Sequence, residues 1–399
     1  MIPFIDIQAQ FARIESRVRK RIDDVFKHGQ FIMGPEVAEL EDRLAGFCQT
    51  RHAVVCSSGT DALLMALMAH DIGPGDLVLT SPFTFVATGE VISLLGATPV
   101  FVDVNPMTYN LDPDKLKQAI AAARKQDGQA HPLPRAVLEA DPPLKPRAVI
   151  SVDLFGIPAD YQSLEPVCQE EGLALIEDAA QSFGARLNER PAGSFGDAGC
   201  TSFFPAKPLG GFGDSGAVLT DDRDLAQELC SIRVHGQGAT KYLNRRVGLN
   251  ARMDTLQAAM LLPKLDILPE ELDRRQEVAQ AYSTGLSGLD PHLRLPSVPR
   301  GCRSAWAQYS IRIKGRDQLQ EHLRERGIPT AVYYQCPLHL QEAFAGLGYG
   351  QGDMPVSEIL AHEMCSLPMH PYLPLDQVQQ IVDIIGSWIQ KRPNSNSLA

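Results

Sequence analysis

Lys207 stands in the stretch CTSFFPAKPLGGFGDSG, between Pro205 and Pro208 and just ahead of Gly210 and Gly211. Prolines so placed exclude a regular helix or a central strand, so this lysine occupies a constrained turn directly after an apolar strand. Most lysines are solvated surface charge. One held at the mouth of a sheet among apolar residues has a depressed pKa, and its neutral amine can form a Schiff base with a carbonyl. Asp178 closes the run LALIEDAAQ, with Gln181 three positions on. A carboxylate at such a strand end can bind a ribose, a metal or a protonated ring nitrogen, or simply cap a helix. Ser57-Ser58-Gly59-Thr60-Asp61 follows the strand AVVC and precedes a helix. Free N–H groups and the positive end of the helix dipole favour a phosphate there, and Gly59 permits close approach, although the same residue types also serve as plain N-caps. Phe85 in SPFTFVATGE is a core aromatic or a surface for stacking on a flat ring.

Together these residues make up the parts of a pyridoxal-phosphate site: a phosphate cradle, a ring stack, a carboxylate for the ring nitrogen and an amine for the aldehyde. Such parts meet where an open α/β sheet brings its strand ends together. From about His52 to Thr220, short apolar runs alternate with helical stretches, among them AVVCSS, LVLTSP, TPVFVDV, RAVISVDLFG and LALIEDAA. Strands that read as continuous apolar runs between helices predict a mainly parallel, doubly wound sheet covered on both faces. Helical spacing precedes it at Arg13 to Phe26 and at Glu36 to Cys48. After Asp254 a long helical tract leads to the strand-like YSIRIK, the helix DQLQEHLRERG and the closing helix VQQIVDIIGSWIQ. The division expected is a cofactor-binding large domain over 1–260 and a smaller C-terminal α/β domain over 261–399. The proline- and charge-rich stretch from Ala123 to Arg147 breaks the rhythm and reads as a surface insertion without assigned chemistry.

Composition narrows the class. With 44% apolar and 21% charged residues the chain belongs with ordinary folded proteins. Its net charge of -11 comes without a basic run, which argues against nucleic acid or an anionic membrane as partner. The segment MIPFIDIQAQFARIESRVRKR lacks a signal-peptide core, and no stretch approaches the length of a membrane span, so the expected location is cytoplasmic. Eight cysteines without a C-x-x-C pair point to reduced thiols and to no metal site.

The stretches FIMGPEVAELEDRLA, SSGTDALLMAL, SPFTFVATGEVISLLGATPVFVDV, LIEDAAQSFGA, CTSFFPAKPLGGFGDSGAVLT, GLNARMDTLQAA and SLPMHPYL run from end to end of the chain. In them the sequence resembles the DegT/DnrJ/EryC1/StrS family of nucleotide-sugar aminotransferases, which have the aspartate-aminotransferase type of fold. The resemblance implies that Lys207 carries pyridoxal 5'-phosphate, that Asp178 faces its ring nitrogen, and that Gln181 lies near its phenolic oxygen. It puts Phe85 on the ring face, makes Gly59 and Thr60 donors to the phosphate, and adds the Ser202 hydroxyl. Asn250 would reach in from the other subunit of a homodimer with shared sites. Arg252 would meet a sugar carboxylate or the glutamate donor, and Tyr333 and Tyr334 the sugar nucleotide. The reaction implied moves an amino group from L-glutamate to a keto sugar nucleotide in surface polysaccharide or amino-sugar synthesis. UDP-2-acetamido-2-deoxy-3-oxo-glucuronate is the preferred acceptor, and a 4-keto-6-deoxy sugar nucleotide aminated at C4 the alternative. Relatives in which histidine replaces the lysine are sugar dehydratases; this chain keeps Lys207. It departs from the family at Ser215, where a second glycine is usual, and in its longer insertion.

Two other classes compete. A nicotinamide dehydrogenase should present G-x-G-x-x-G after its first strand, where this chain has SSGTD. A non-enzymatic sensor that keeps the cofactor usually carries a DNA-binding appendage, for which this N-terminus offers no basic helix.

Overall fold

The computed structural model describes residues 2–289, 291 and 293–391. Its centre is a seven-stranded sheet in the spatial order His52–Cys56, Gly216–Thr220, Ala198–Ser202, Ala174–Asp178, Lys145–Val152, Asp76–Thr80 and Thr98–Phe101. The neighbours from Ala198–Ser202 through to Thr98–Phe101 pair in parallel. Gly216–Thr220 runs against both strands that flank it. This is the doubly wound α/β arrangement that the alternating apolar runs predict, with one reversed strand inserted near an edge.

Side chains alternate across a strand, so each apolar run serves two layers. Val54, Val78, Ile150, Ile176 and Val218 face a cluster shared with the helices Gly59–Ala69, Ala87–Leu94 and Arg223–Arg233. On the opposite face Val55, Ala217 and Leu219 meet the helices Pro35–Cys48 and Thr255–Leu286. Farther along that same face, Leu77, Leu79, Val149 and Leu175 meet the helices Pro113–Lys125 and Tyr161–Glu171. Both faces are therefore dry, as continuous apolar strands require.

Helix ends follow local chemistry. The first helix, Ile7–His28, begins earlier than its apolar spacing suggests because the Asp6 carboxylate accepts the Ala9 N–H at 2.8 Å, and it stops where Gly29 adopts φ 70°. The 123–147 stretch carries one short helix, Arg135–Leu138. The Gln126 amide ties it down by donating to the Val137 and Ala140 carbonyls at 2.8 Å each.

The helix Thr255–Leu286 is 32 residues long, about 48 Å at 1.5 Å per residue. Its first half gives Leu261, Leu262, Leu265 and Leu268 to the core under the sheet. Its second half gives Val278, Ala279, Tyr282 and Leu286 to a separate cluster. That cluster is built with the antiparallel pair Tyr309–Arg312 and Met364–Leu367 and the helices Arg316–Arg324 and Leu375–Gln390. No helix among the described residues is long and apolar enough to cross a membrane.

Leu261 is fully buried in the cluster beneath the sheet. Leu261→Ala is expected to cost about 2–5 kcal/mol of unfolding free energy, read from the urea midpoint at fixed protein concentration. A loss below about 1 kcal/mol would mean that this helix does not depend on its sheet-facing contacts.

Candidate active site

Three strand ends converge at one edge of the sheet. Cys56 and Ser202 both pair with Gly216, from opposite sides, and Asp178 pairs with Cys200, two residues before Ser202. The segments that leave these ends, Ser57 to Asp61, Phe203 to Gly211 and Ala179 to Ser182, are thereby neighbours.

The lysine turn is closed by its own backbone. Phe203 N–H donates to the Ser215 carbonyl at 2.8 Å, Gly211 N–H to the Phe203 carbonyl at 2.6 Å, and Lys207 N–H to the Phe204 carbonyl at 2.8 Å. Gly210 lies so close to Pro205 that a Cβ there would sit 2.3 Å from the Pro205 carbonyl oxygen. Lys207 is half-buried, and loss of solvent around its amine lowers the pKa from the ordinary lysine value. The Asp178 charge pulls the other way, so the two side chains lie in one electrostatic field.

Asp178 is 6% exposed at the end of the strand Ala174–Asp178. Burial raises its pKa, while the Thr88 hydroxyl, the Lys207 charge and the Ala180 N–H oppose that shift. Thr88 Oγ1 donates to Asp178 Oδ2 at 2.9 Å, and Ala180 N–H to Oδ1 at 3.2 Å. The Gln181 amide is held at both ends: its Oε1 accepts Phe155 N–H at 2.9 Å, and its Nε2 donates to the Tyr334 hydroxyl at 2.8 Å. Tyr334 stacks on Phe155 with centroids 6.1 Å apart and meets the edge of Phe83 at 5.4 Å. Burial pushes the Tyr334 phenol up, so it stays a neutral hydroxyl.

Ser58 caps the helix Gly59–Ala69, its Oγ accepting Asp61 N–H at 3.0 Å. Ser57 and Ser58 hydroxyls both donate to the Asp61 carboxylate. Ala62 N–H bonds back to the Ser58 carbonyl. The N–H groups of Gly59 and Thr60 remain as the helix-end donors without an intrahelical acceptor. The serine cap of the sequence reading is present, and the next two amides point out of the helix end. A Cβ on Gly59 would lie 2.6 Å from Ser202 Cβ and 3.2 Å from Ser202 Oγ, so only glycine lets the helix end pack this closely on Ser202.

Phe83 is core, and Phe85 is 59% exposed, two residues before the helix Ala87–Leu94. Asn250 has an exposed side chain and a backbone bridge to Val234; it joins none of the hydrogen bonds that tie Asp178, Gln181 and Tyr334. The carbonyl of its neighbour Ala251 accepts Ser57 N–H at 3.1 Å, which puts this segment beside the start of the helix Gly59–Ala69. Arg252 keeps a buried Nε with no hydrogen-bond partner among the described residues. Tyr333 is 40% exposed next to Tyr334, and burial raises its phenol too.

Comparison with known proteins decides what this arrangement belongs to. The model of the DegT/DnrJ/EryC1/StrS aminotransferase family matches residues 12–386. The chain belongs to that family. It is similar to the UDP-2-acetamido-2-deoxy-3-oxo-D-glucuronate aminotransferase of Pseudomonas aeruginosa, with 43% identity over 94% of this chain and 96% of the relative. It is similar also to the UDP-N-acetyl-3-dehydro-alpha-D-glucosamine 3-aminotransferase of Acidithiobacillus ferrooxidans, with 39% identity over 96% and 97%. Among solved structures, a DegT/DnrJ/EryC1/StrS aminotransferase from Brucella abortus superposes with a TM-score of 0.91 and 45% identity, covering 98% of this chain and all of that one. The ntda protein of Bacillus subtilis, solved with bound cofactor PMP, superposes at 0.82 with 27% identity over 94% and 82%.

In this family member, two residues of the site carried no sequence signal of their own. Thr88 reads as one more position of the apolar helix FVATGEVISLLG. Phe155 sits at φ 57°, a conformation uncommon for a bulky side chain, which no spacing rule foretells.

Two outcomes follow from the geometry. Gly59→Ala is expected to weaken binding of a phosphate monoester about tenfold or more by equilibrium dialysis, with the fold retained; unchanged affinity would put the anion seat elsewhere. Removing the Asp178 charge takes away the influence that holds the Lys207 pKa up. The pH midpoint for reaction of the Lys207 amine with a small aldehyde therefore falls in Asp178→Asn, and a fixed or rising midpoint would show that the two groups are not coupled.

Proposed function

We propose that this aminotransferase uses pyridoxal 5'-phosphate to move an amino group from L-glutamate to a keto sugar nucleotide, with UDP-2-acetamido-2-deoxy-3-oxo-glucuronate as the preferred acceptor. The observation that carries the reading is the common electrostatic field of Lys207 and Asp178 beside the seat formed by Gly59, Thr60 and Ser202.

The residues fit the cofactor. Gly59 packs so closely on Ser202 that a methyl would clash, which brings the helix-end amides and the Ser202 hydroxyl together where a phosphate would need its donors. The exposed ring of Phe85 is available to a flat heterocycle. Lys207 would hold the aldehyde carbon, Asp178 the ring nitrogen, Gln181 the phenolic oxygen, and Gly59, Thr60 and Ser202 the phosphate. When bound, pyridoxal phosphate supplies an electron-withdrawing ring and an aldehyde that exchanges amines.

The protein's own part is to place charges and protons. Asp178, held by Thr88 and Ala180, keeps a negative charge where a protonated ring nitrogen would sit, and its burial strengthens that pairing. The lowered pKa of Lys207 keeps more of its Nζ unprotonated near neutrality, so the amine can serve as the base that removes a proton from the substrate carbon and later returns one. The Gln181 to Tyr334 bond links the cofactor side of the pocket to the sugar side, where Tyr333 would contact the nucleotide.

The buried, unpartnered Nε of Arg252 calls for an anion, and the carboxylate of a uronate or of glutamate would answer it. A homodimer with shared sites has support in the surface around Asn250. Tyr242, Leu243 and Val247 on that loop are 84%, 63% and 85% exposed. Phe31, Ile32 and Met33, also exposed, lie close by through the bridge of Ile32 to Asp254. Apolar residues in such number on one face mark an interface. Both relatives aligned above carry names of reactions at a 3-oxo or 3-dehydro sugar, which supports C3 as the aminated carbon.

Lys207→Ala is expected to lose both the visible absorbance of the attached cofactor and all turnover; a yellow, active variant would remove the assignment. Glutamate supplied with UDP-, GDP- and dTDP-linked 3-keto and 4-keto sugars should yield, by mass spectrometry, a 3-amino UDP sugar. A 4-amino product would overturn the acceptor while leaving the roles of Lys207 and Asp178 intact.

A further inference from the structure

Lys264 lies on the helix Thr255–Leu286, is 1% exposed and takes no part in the chemistry described above. A buried ammonium is costly unless its donors are used. Its Nζ donates to the Gly210 carbonyl at 2.6 Å, reaches the Gly211 carbonyl at 3.5 Å, and stands 4.2 Å from the centre of the Phe212 ring. All three acceptors belong to the segment that continues the Lys207 turn. The carboxylate whose charge it senses, Glu271, is already engaged by Gln10 and Tyr372, so ion pairing does not account for the lysine. Burial brings its pKa down to about 8. One helix face grips the segment twice, because Gln257, seven residues earlier, accepts Phe212 N–H on its Oε1 at 3.2 Å.

The chemistry of the turn makes such a clamp necessary. Pro205 and Pro208 stiffen its entry, whereas Gly210 and Gly211 leave its exit the most pliable backbone in the loop. The Gly210 carbonyl is buried and would be unpaired without a donor from below. A charged donor bonds a carbonyl more strongly than a neutral one, and the ring of Phe212 supplies a second attraction for the same cation.

We propose that Lys264 is a positioning residue that pins the Gly210–Phe212 backbone from beneath and so presents the Lys207 amine to the cofactor aldehyde. The proposal rests on the reading of Lys207 as the cofactor-bearing amine.

The test compares the full-length protein with Lys264→Met, which keeps the volume and removes the donors, and with Lys264→Arg, which keeps a charged donor. Each is stripped of cofactor and mixed with pyridoxal phosphate, and attachment at Lys207 is fixed with borohydride and read by peptide mass. Lys264→Met is expected to attach the cofactor about tenfold more slowly or worse and to lose a similar factor in kcat, with KM for glutamate within about twofold. Lys264→Arg should recover most of both. Attachment and kcat within about twofold of the wild type in Lys264→Met would overturn the proposal, as would a loss that Lys264→Arg does not repair. Should Lys264→Met fail to fold, Lys264→Gln decides: slowed attachment by a folded protein supports the clamp, and an unchanged rate sinks it. Failure of the Lys207 reading looks different, with the cofactor fixed on another lysine or still attached in Lys207→Ala.

Discussion

The site depends on keeping an amine and a carboxyl of opposite charge close together where water is scarce. Burial alone drives Asp178 toward its neutral acid and Lys207 toward its neutral amine. Each restrains the other, and the Thr88 hydroxyl adds a donor to the carboxylate. A partner that brings its own positive ring nitrogen would relieve Asp178 of its dependence on the lysine. Lys207 could then give up its charge without leaving the acid unpaired. The arrangement is therefore suited to exchange one cation for another, which is what the proposed attachment of a cofactor would require.

That balance requires Asp178 to point one way only, and the strand beneath it secures the direction from behind. Glu177, the residue before it, projects to the opposite face, where its carboxyl accepts the Gly193 and Phe195 N–H groups at 2.7 and 2.9 Å. Beside it Asp153 accepts the Tyr161 hydroxyl, the Ser182 hydroxyl and the Ala159 N–H. Burial, reinforced by the Asp153 charge, raises Glu177 well above the usual carboxyl range, and burial pushes Asp153 up to about 6. A slip of one residue would exchange Glu177 for Asp178 and put the wrong carboxyl in the pocket. The Asp153 N–H to Asp178 carbonyl bond at 3.1 Å closes the same corner.

Much of this was legible in the amino-acid sequence, because the physics that fixes it is local. Apolar runs followed by polar residues announced the strands and their carboxyl ends, and the prolines and glycines around Lys207 announced a turn. The helix start after Ser58 was readable from its cap, while Ser202 entered through family resemblance; the pairing of both strands with Gly216 is a property of strand order, which period-2 patterns do not encode. Thr88, Phe155 and Lys264 were invisible for a related reason. Each acts on a residue far away in the chain, and each looks like ordinary helix or core in its own neighbourhood. Lys264 in particular reads as a surface cation on an amphipathic helix until its burial is known.

The long helix Thr255–Leu286 makes these distant effects one system. It carries Gln257 and Lys264 under the lysine turn, then gives Tyr282 to the C-terminal core, where it stacks on Tyr309. The second cluster in turn supports the segment bearing Tyr333 and Tyr334, since Ala331 bridges to Ser366 in its small sheet. Tyr334 then returns to the strand end of Asp178 through Gln181. Packed interiors resist small displacements, so a change that shifts the C-terminal core has two routes to the pocket, one through the helix to the Lys207 turn and one through the tyrosines to Gln181. The Tyr333–Tyr334 segment and the amine are therefore coupled. A substitution that reshapes the surface at Tyr333 should carry a cost at Lys207 even when no atom of the lysine turn is touched.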